Sequence, residues 1–341
     1  MTQSHMAREV AEIPDATQRF LTNSAEAVQA AAAAIRAVDP GLIVTVARGS
    51  SDHAATYLKY AVELLAGVPV ASVGPSIASI YHRPLRLNRA VCIGISQSGK
   101  SPDIVAMTKA AQAGGALTVA ITNFAGSPMA AASSHCLPLA AGEEVSVAAT
   151  KTFISSVVAG LALLAEWQDD AGLRAAVAAL PEAFSEALTK DWSPLSDRLS
   201  RAQQAYVLGR GPGIAIAAEM ALKLKETCGL HAESYSAAEV LHGPAAIVQD
   251  RFPVLALAVE DAALAQIIAT AERLAAQGAD VFVTGASGAG CTTLPALAGV
   301  HPLVAPLVTA VTFYAFVEGL ARRRGFDPDT PPHLRKVTRT I

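Results

Sequence analysis

A turn rich in hydroxyl groups is the most chemically suggestive stretch of the chain. The apolar residues 91–95 lead into Ser96-Gln97-Ser98-Gly99-Lys100-Ser101, which Pro102 follows. Ser101 suits the N-cap of a helix, and proline suits the first helical position. A helix N-terminus presents free N–H groups and the positive end of the dipole, which favour an anion. With Ser96, Ser98 and Ser101 as hydroxyl donors, the turn is a candidate phosphate site.

Two other interpretations bear on this turn. An ordinary capped helix after a strand has similar residues, because serine and glycine are common in such loops. The spacing differs from that of a Walker A loop and of a dinucleotide-binding fingerprint, so nucleotide hydrolysis is not indicated.

A second corner, Arg48-Gly49-Ser50-Ser51, has the same character. Ligands of open α/β sheets lie at the carboxyl ends of the strands, so we expect Ser51 to share a ligand with the first turn.

Candidate acid–base groups lie on a later helical segment, residues 214–227. Glu219, Lys223 and Glu226 follow spacings of four and three and share one face, whereas Lys225 points elsewhere. Such a stripe is usually a solvated face of paired charges. Because the rest of this segment is almost entirely apolar, we expect it to be largely buried, and buried charges must pair or act. His242, before a Gly-Pro turn, is a plausible acid–base group near a carboxylate and a lysine.

Short apolar runs alternate with helical patterns, which predicts parallel sheets with helices on both faces. The predicted strands are residues 42–47, 69–73, 90–96, 117–122, 136–139, 205–208, 254–259 and 281–284. The predicted helices are residues 51–65, 102–113, 152–167, 214–227 and 262–276.

The length of 341 residues favours two domains. We predict an N-terminal helical arm over 1–40, an α/β domain over 41–170, a helical connector over 171–201 and a second α/β domain with a C-terminal tail over 202–341. The corner 46–50 (VARGS) resembles the corner 207–211 (VLGRG), and duplication of an α/β unit explains this. Chance similarity of two strand–helix corners is the alternative.

Composition narrows the function classes. Apolar residues make up 52% of the chain and charged residues 16%, which excludes disorder. The net charge is −3, and the longest basic run, Arg322-Arg323-Arg324, suits the last turn of a helix, so no nucleic-acid partner is expected. We see no signal peptide, and the apolar segment 302–317, broken by Pro306, is too short to cross a membrane. A cytoplasmic protein is expected.

The cysteines do not form a metal-binding or disulfide pattern. They are widely spaced and lack any C-x-x-C pair, so neither a zinc site nor a disulfide framework is implied. Cys92 and Cys228 lie in apolar or helical patterns and are expected to be buried. The four cysteines of the chain are Cys92, Cys136, Cys228 and Cys291. No metal or other cofactor is expected.

Together, these segments resemble the sugar-isomerase (SIS) family. The chain is similar to the isomerase domain of glutamine–fructose-6-phosphate aminotransferase and to stand-alone phosphosugar isomerases and glucosamine-6-phosphate deaminases related to it. Nearly the whole chain is covered, and the order and spacing of the motifs are specific. The motifs are His5-Met6, Glu9, Glu12-Ile13-Pro14, Arg48-Gly49-Ser50-Ser51, Ser96-Gln97-Ser98-Gly99, Val147-Ala148-Ala149-Thr150-Lys151, Ala221-Leu222-Lys223-Leu224-Lys225-Glu226, His231-Ala232-Glu233-Ser234-Tyr235, Glu239-Val240-Leu241-His242-Gly243-Pro244 and Leu334-Arg335-Lys336-Val337-Thr338.

The resemblance implies two doubly wound, flavodoxin-like domains and a role for each matching residue. Residues that would hold the sugar phosphate and its nearby hydroxyls are Gly49, Ser51, Ser96, Gln97, Ser98, Ser101 and Ala149. Glu226 would move a proton between C1 and C2, with Lys223 at the amine or carbonyl end. His242, contributed by the neighbouring subunit of a homodimer, would help open the ring. Lys336 would close over the open-chain substrate.

The sequence also departs from the aminotransferase. About 40 residues precede the first strand and the first cysteine is Cys92, so a glutaminase domain is not expected. Ala149 stands where a hydroxyl is usual, and Lys100 where an acid is usual. The second half lacks its own Ser-x-Ser-Gly turn, which implies one phosphate site per chain.

The expected reaction converts glucosamine-6-phosphate into fructose-6-phosphate and ammonia. Alternatives are a fructosamine-phosphate deglycase, a galactosamine-6-phosphate deaminase or isomerase, and a subunit that receives ammonia from elsewhere. A non-catalytic sugar-phosphate sensor is the alternative of another class. A sensor would not need Lys223, Glu226 and His242 together.

Overall fold

Each half of the chain contains a five-stranded parallel sheet. The computed structural model describes residues 3–336. The first sheet contains β1 (Leu42–Val46), β2 (Val70–Ser72), β3 (Ala90–Ile95), β4 (Leu117–Thr122) and β5 (His135–Pro138). The second contains β6 (Gln204–Gly209), β7 (His231–Ser236), β8 (Pro253–Ala256), β9 (Asp280–Thr284) and β10 (Thr292–Leu294).

Helices precede, connect and follow these strands. Those up to the end of the first sheet are α1 (His5–Ala11), α2 (Ile13–Asn23), α3 (Ala25–Val38), α4 (Ser50–Leu65), α5 (Ser76–Ser79), α6 (Pro102–Ala113) and α7 (Pro128–Ala131). Those that follow are α8 (Lys151–Trp167), α9 (Ala171–Ala178), α10 (Leu180–Ala187), α11 (Ser193–Leu199), α12 (Gly213–Cys228), α13 (Leu264–Ala276) and α14 (Ala305–Arg323). Two short 3₁₀ helices span Glu239–His242 and Pro244–Ile247.

The chain divides into two compact units. Within the described residues, the first-half unit comprises 12–144, 151–181 and 335–336, and the second-half unit comprises 3–11, 145–150 and 182–334. The predicted domain boundaries at 40, 170 and 201 stay a prediction.

The two sheets have the same topology. The first has the strand order β2-β1-β3-β4-β5, and the second, read from its other edge, has β7-β6-β8-β9-β10. Every pairing is parallel. The second strand of each half therefore lies outside the first, and the order reverses between the first and third strands. The predicted α/β class and the internal duplication are confirmed.

Continuous apolar runs form the central strands because both of their faces are covered. All six residues of β3 are buried. In the first half, one face of the sheet packs on Ile104 and Met107 of α6. The helix α8 packs against both α3 and α4, and all three helices contact the sheet. In the second half, Ile267 and Leu274 of α13 pack with Val254 and Val283.

Several predicted elements agree closely with the structure. β4 and α6 have the predicted bounds, and the other predicted strands and helices differ by a few residues at their ends. Arg322 and Arg323 lie in the last turn of α14, as predicted, and Cys92 and Cys228 are buried. Two strands, β7 and β10, were not predicted. Between residues 3 and 336, no helix is both long and apolar enough to cross a bilayer.

The turn from β6 into α12 leaves no room for a side chain at Gly209. A Cβ there would lie 2.4 Å from the carbonyl oxygen of Gly213 and 2.7 Å from the amide nitrogen of Ile214. Both are backbone atoms, so the helix itself would have to move. We therefore expect Gly209→Ala to lower the free energy of unfolding by about 1–3 kcal/mol, measured by urea titration.

Gly213→Ala is the matched control in the same turn. A Cβ at Gly213 meets nothing within 4 Å, so this variant should be neutral or gain about 0.5–1 kcal/mol. Equal unfolding midpoints for the two variants would contradict the packing of β6 on α12.

Candidate active site

The two serine-rich corners follow neighbouring strands of the first sheet. β1 and β3 pair in parallel, with Val46 opposite Gly94, and α4 and α6 begin just beyond them. This is the point at which the strand order reverses, where open α/β sheets bind their ligands. The prediction that residues 48–51 and 96–101 meet at one sheet edge is confirmed, whereas their role in binding stays a prediction.

Hydrogen bonds within the turn 96–101 hold its shape. The Ser96 hydroxyl accepts from the Gly99 amide at 3.2 Å, and the Ser98 hydroxyl accepts from the Lys100 amide at 3.3 Å. The Gln97 carbonyl accepts from the Asn123 amide at 3.1 Å. Each serine hydroxyl still has its own hydrogen to donate, because a hydroxyl is both donor and acceptor.

Glycine is required in the middle of this turn. Gly99 has φ +60°, and a Cβ there would lie 2.2 Å from the Ser127 hydroxyl oxygen. Ser127 is itself the N-cap of α7 and accepts from the Ala130 amide at 3.3 Å, so it cannot move without loss of that bond. The turn is therefore packed from behind and rigid.

Ser101 occupies the N-cap of α6, and Pro102 follows at the start of the helix, as predicted. Its side chain makes no capping hydrogen bond in the described chain. The hydroxyl group and the first amides of α6 are therefore not engaged with one another. On the other corner, Gly49 has φ +55° and is the N-cap of α4, in which Ser51 is the second residue.

An ion pair that was not predicted joins the two corners. Arg48 donates from Nη2 and Nε to Oδ2 of Asp103, at 2.6 and 2.8 Å. Asp103 is fully buried in the first turn of α6, and the Arg48 side chain is 51% exposed. An acid directly after Ser-Pro was a usable sequence signal, because acids favour the first turn of a helix. The pair fixes the start of α6 relative to the end of β1.

A second acidic group lies at the corner of α4. Burial raises the pKa of the Asp52 carboxyl, against the lowering effect of His53 and Arg48. The first turns of α4 and α6 therefore each carry an acid, Asp52 and Asp103.

The predicted Glu–Lys–Glu stripe is present on α12. The Lys223 ammonium lies 3.3 Å from Oε1 of Glu219 and 2.5 Å from Oε2 of Glu226, while Lys225 is exposed. Side-chain exposures are 0% for Lys223, 1% for Glu219 and 20% for Glu226. The predictions of a shared face and a largely buried helix are confirmed. Only Glu226 of the three reaches solvent.

The charge of Lys223 depends on its partners. Burial alone would lower the pKa of the Lys223 ammonium, but the carboxylates of Glu219 and Glu226 outweigh burial and raise this pKa above its ordinary value. Lys223 is therefore a cation at neutral pH. It can stabilise negative charge next to Glu226, and as a cation it is a poor nucleophile.

A tyrosine that was not predicted completes this cluster. Tyr314 of α14 is fully buried, and its hydroxyl donates to Oε1 of Glu219 at 3.0 Å. The signal was a lone tyrosine in an apolar helix, since a buried phenol needs a partner. Sequence alone could not identify that partner, because Glu219 and Tyr314 are 95 residues apart in the chain.

His242 lies where the Gly-Pro motif predicts it, at the end of a 3₁₀ helix and before Gly243, whose φ is +142°. Its side chain is exposed. It belongs to the same unit as Lys223 and Glu226. The prediction that it acts with them stays a prediction.

Lys336 is held by a buried carboxylate. Its ammonium lies 2.8 Å from Oε2 of Glu144, which is 0% exposed and also accepts from the Thr152 amide at 3.0 Å and the Thr152 hydroxyl at 2.6 Å. Burial alone would raise the pKa of Glu144, but Lys336 and Thr152 outweigh it and lower this pKa. Of the predicted tail motif, Val337 and Thr338 lie outside the described residues.

Ala149 is half-buried in the segment 145–150. The Glu9 carboxylate accepts hydrogen bonds from the amides of Val145 and Ser146 and from the Ser146 hydroxyl. The Val147 amide donates to the Asp329 carbonyl at 3.2 Å. The N-terminal motif thus has a structural purpose that its sequence did not reveal, because it orders the loop that carries Ala149.

The predicted residues therefore form several groups. Gly49, Ser51 and residues 96–101 gather in the first-half unit, which also holds Lys336. Lys223 and Glu226 pair in the second-half unit, which also holds His242 and Ala149.

Comparison with known proteins identifies a matching family. The SIS domain model matches residues 38–166 and 198–287. A glutamine–fructose-6-phosphate aminotransferase (isomerizing) from Symbiobacterium thermophilum is 32% identical over 97% of this chain, and the chain spans 58% of that relative's length.

Solved structures agree with this match. A protein from Silicibacter pomeroyi DSS-3, assigned as a phosphosugar isomerase, has 52% identity and a TM-score of 0.93, covering 96% of this chain and 100% of its own. The C-terminal domain of glucosamine-fructose-6-phosphate aminotransferase from Francisella tularensis has 25% identity and a TM-score of 0.84, covering 97% and 99%. With its two parallel sheets of identical strand order and its match over most of both halves, the chain belongs to the SIS-domain family.

Proposed function

We propose that this protein is a phosphosugar isomerase that acts on an amino-sugar phosphate and converts glucosamine-6-phosphate into fructose-6-phosphate and ammonia. The observation that carries the proposal is the pair formed by Glu226, a carboxylate that reaches solvent, and Lys223, a fully buried cation. Aldose–ketose isomerisation needs a group that moves one proton between adjacent carbons, and this pair suits that task.

The serine corner supports a phosphorylated substrate. The start of α6 offers backbone N–H groups and the positive end of its dipole, with Ser96, Ser98 and Ser101 beside it. Arg48 and Asp103 fix these groups before a ligand arrives, so little ordering is needed on binding. Binding energy from a phosphate remote from C1 and C2 can position the reacting carbons.

The proposed reaction moves one proton from C2 to C1 and one from the amine to the oxygen at C1, and it then exchanges nitrogen for oxygen. In the ring-opened aldose, Glu226 removes the proton from C2, and the carbonyl oxygen at C1 takes a proton from the C2 ammonium. The product is an enolamine whose C1–C2 double bond carries the hydroxyl and the amine. Glu226 returns the proton to C1, which leaves an imine at C2. Water adds to this imine, and ammonia leaves to give the ketose. Dilution of ammonia favours this direction by mass action.

The proposal assigns supporting roles to His242 and Lys336. His242, exposed at its turn, would assist ring opening. Lys336, held by Glu144, would lie over the open-chain sugar. Gly49, Ser51, Gln97 and Ala149 would complete the contacts to the sugar phosphate. Each assignment follows the family resemblance and is tested through its own variant.

Product analysis with the purified protein tests the reaction. We expect glucosamine-6-phosphate to give ammonia and fructose-6-phosphate in equal molar amounts, measured by coupled enzymatic assays. Galactosamine-6-phosphate and a fructosamine phosphate are run in parallel, since either could be preferred. Ketose formation without ammonia would indicate a simple isomerase. No turnover of any of the three, with tight sugar-phosphate binding retained, would contradict the enzyme and favour a sensor.

We also propose that the protein acts as a homodimer in which His242 serves the partner's site. Separately, Glu226→Gln and His242→Ala should each be inactive. Mixed after reversible dissociation, they should recover about a quarter of the wild-type activity, because half of the dimers are mixed and each contains one intact site. Absence of recovery in verified mixed dimers would show that Glu226 and His242 act within one chain.

A further inference from the structure

Three buried polar groups form a continuous chain behind Glu226. The Tyr314 hydroxyl donates to Oε1 of Glu219 at 3.0 Å. The Lys223 ammonium lies 3.3 Å from that same Oε1 and 2.5 Å from Glu226. Tyr314, Glu219 and Lys223 are each fully buried, so the chain runs from the contact of α12 and α14 out to the one carboxylate that reaches solvent.

Stability alone does not account for such a chain. Removing charges from water costs several kcal/mol per ion, and replacing a buried ion pair by apolar side chains of similar volume is often neutral or stabilising. Apolar side chains of the same two helices, among them Ile216, Met220 and Val317, are also buried. Glu219 and Tyr314 are buried behind Lys223, and neither reaches solvent. Their effect on chemistry must pass through Lys223.

We propose that Glu219 and Tyr314 are positioning residues that set the proton affinity of Glu226 by dividing the charge of Lys223 between two carboxylates. The inference rests on the proposed function for its catalytic meaning, because Glu226 is the proton-transfer group there.

The charges of the cluster explain why it matters that the charge of Lys223 is divided between two carboxylates. Glu219 and Glu226 each carry −1 and Lys223 carries +1, so the ionised cluster has a net charge of −1. A proton on Glu226 makes the buried cluster neutral. Glu219 thus prevents Lys223 from neutralising Glu226 completely. The raised pKa of Lys223 fits a cation held by both acids.

Tyr314 acts in the opposite sense to Glu219. Its hydroxyl and the Lys223 ammonium share Oε1 of Glu219. The hydroxyl therefore stabilises part of the negative charge of Glu219 and weakens the attraction between Glu219 and Lys223. Without the Tyr314 hydroxyl, Glu219 would attract Lys223 more strongly, and Lys223 would stabilise the Glu226 carboxylate less.

Other groups on the elements around α12 have their own partners. On β7, the Glu233 carboxylate accepts from Tyr235 at 3.0 Å. On β6, the Tyr206 hydroxyl donates to the Pro244 carbonyl at 3.1 Å. The carboxylates of Glu219 and Glu226 both act on the charge of Lys223.

Two substitutions should therefore shift the titration of Glu226 in opposite directions. Glu219→Gln leaves Lys223 with one carboxylate, so the ¹³Cδ titration of Glu226, assigned by its loss in Glu226→Gln, should move to lower pH by about one unit. The acid limb of kcat/KM should follow it. Tyr314→Phe should move both to higher pH by about half a unit. Lys225→Gln, on the exposed face of the same helix, should leave both unchanged.

The two readouts separate this inference from the proposed function. Opposite shifts in the NMR titration, with no sugar turned over, would support the charge division and reject the proposed reaction. Turnover with both variants titrating as wild type, or with both shifted in the same direction, would overturn the inference. Should Glu219→Gln fold poorly, Tyr314→Phe decides: a higher titration midpoint of Glu226 supports the inference, and an unchanged or lower midpoint overturns it.

Discussion

A lysine ammonium with no exposure to solvent is the constraint on which the second half of this protein depends. An unpaired cation at that depth would be prohibitively costly, so Lys223 requires Glu219 on one side and Glu226 on the other. The i,i+4 and i,i+3 spacings on α12 supply both acids from one helix. Of these three residues, Glu226 alone contacts solvent, and it is paired with the buried ammonium of Lys223.

In the first half, the corresponding constraint is the reversal of strand order between β1 and β3. It brings two helix N-termini to one edge, and the buried Asp103 ties them together through Arg48. The second half repeats the strand order but has a different corner, with Gly209 packed against α12 and no serine turn after β8. The same scaffold therefore occurs twice, and its two copies carry different side chains: hydroxyl and amide donors in one, and a buried lysine paired with two glutamates in the other.

Much of this could be predicted from sequence, for physical reasons. Continuous apolar runs such as 117–122 identify buried strands, and Ser-Pro at 101–102 identifies a helix start. The strand β7 could not be predicted, because His231–Ser236 is polar and mostly half-buried. Tyr314 and Glu144 act through partners distant in sequence, which only the folded chain reveals. The stripe on α12 was readable because its three members share one helix.

The central claim is that the Glu226 carboxylate moves the proton between C2 and C1. Replacing it with glutamine keeps its size and removes its basicity, so the most direct test compares wild type and Glu226→Gln in turnover of glucosamine-6-phosphate and in calorimetric binding of the same sugar. The account predicts a fall in kcat of about 10²–10⁴-fold with a nearly unchanged Kd. Undiminished turnover, or a loss of binding in parallel with turnover, would contradict it.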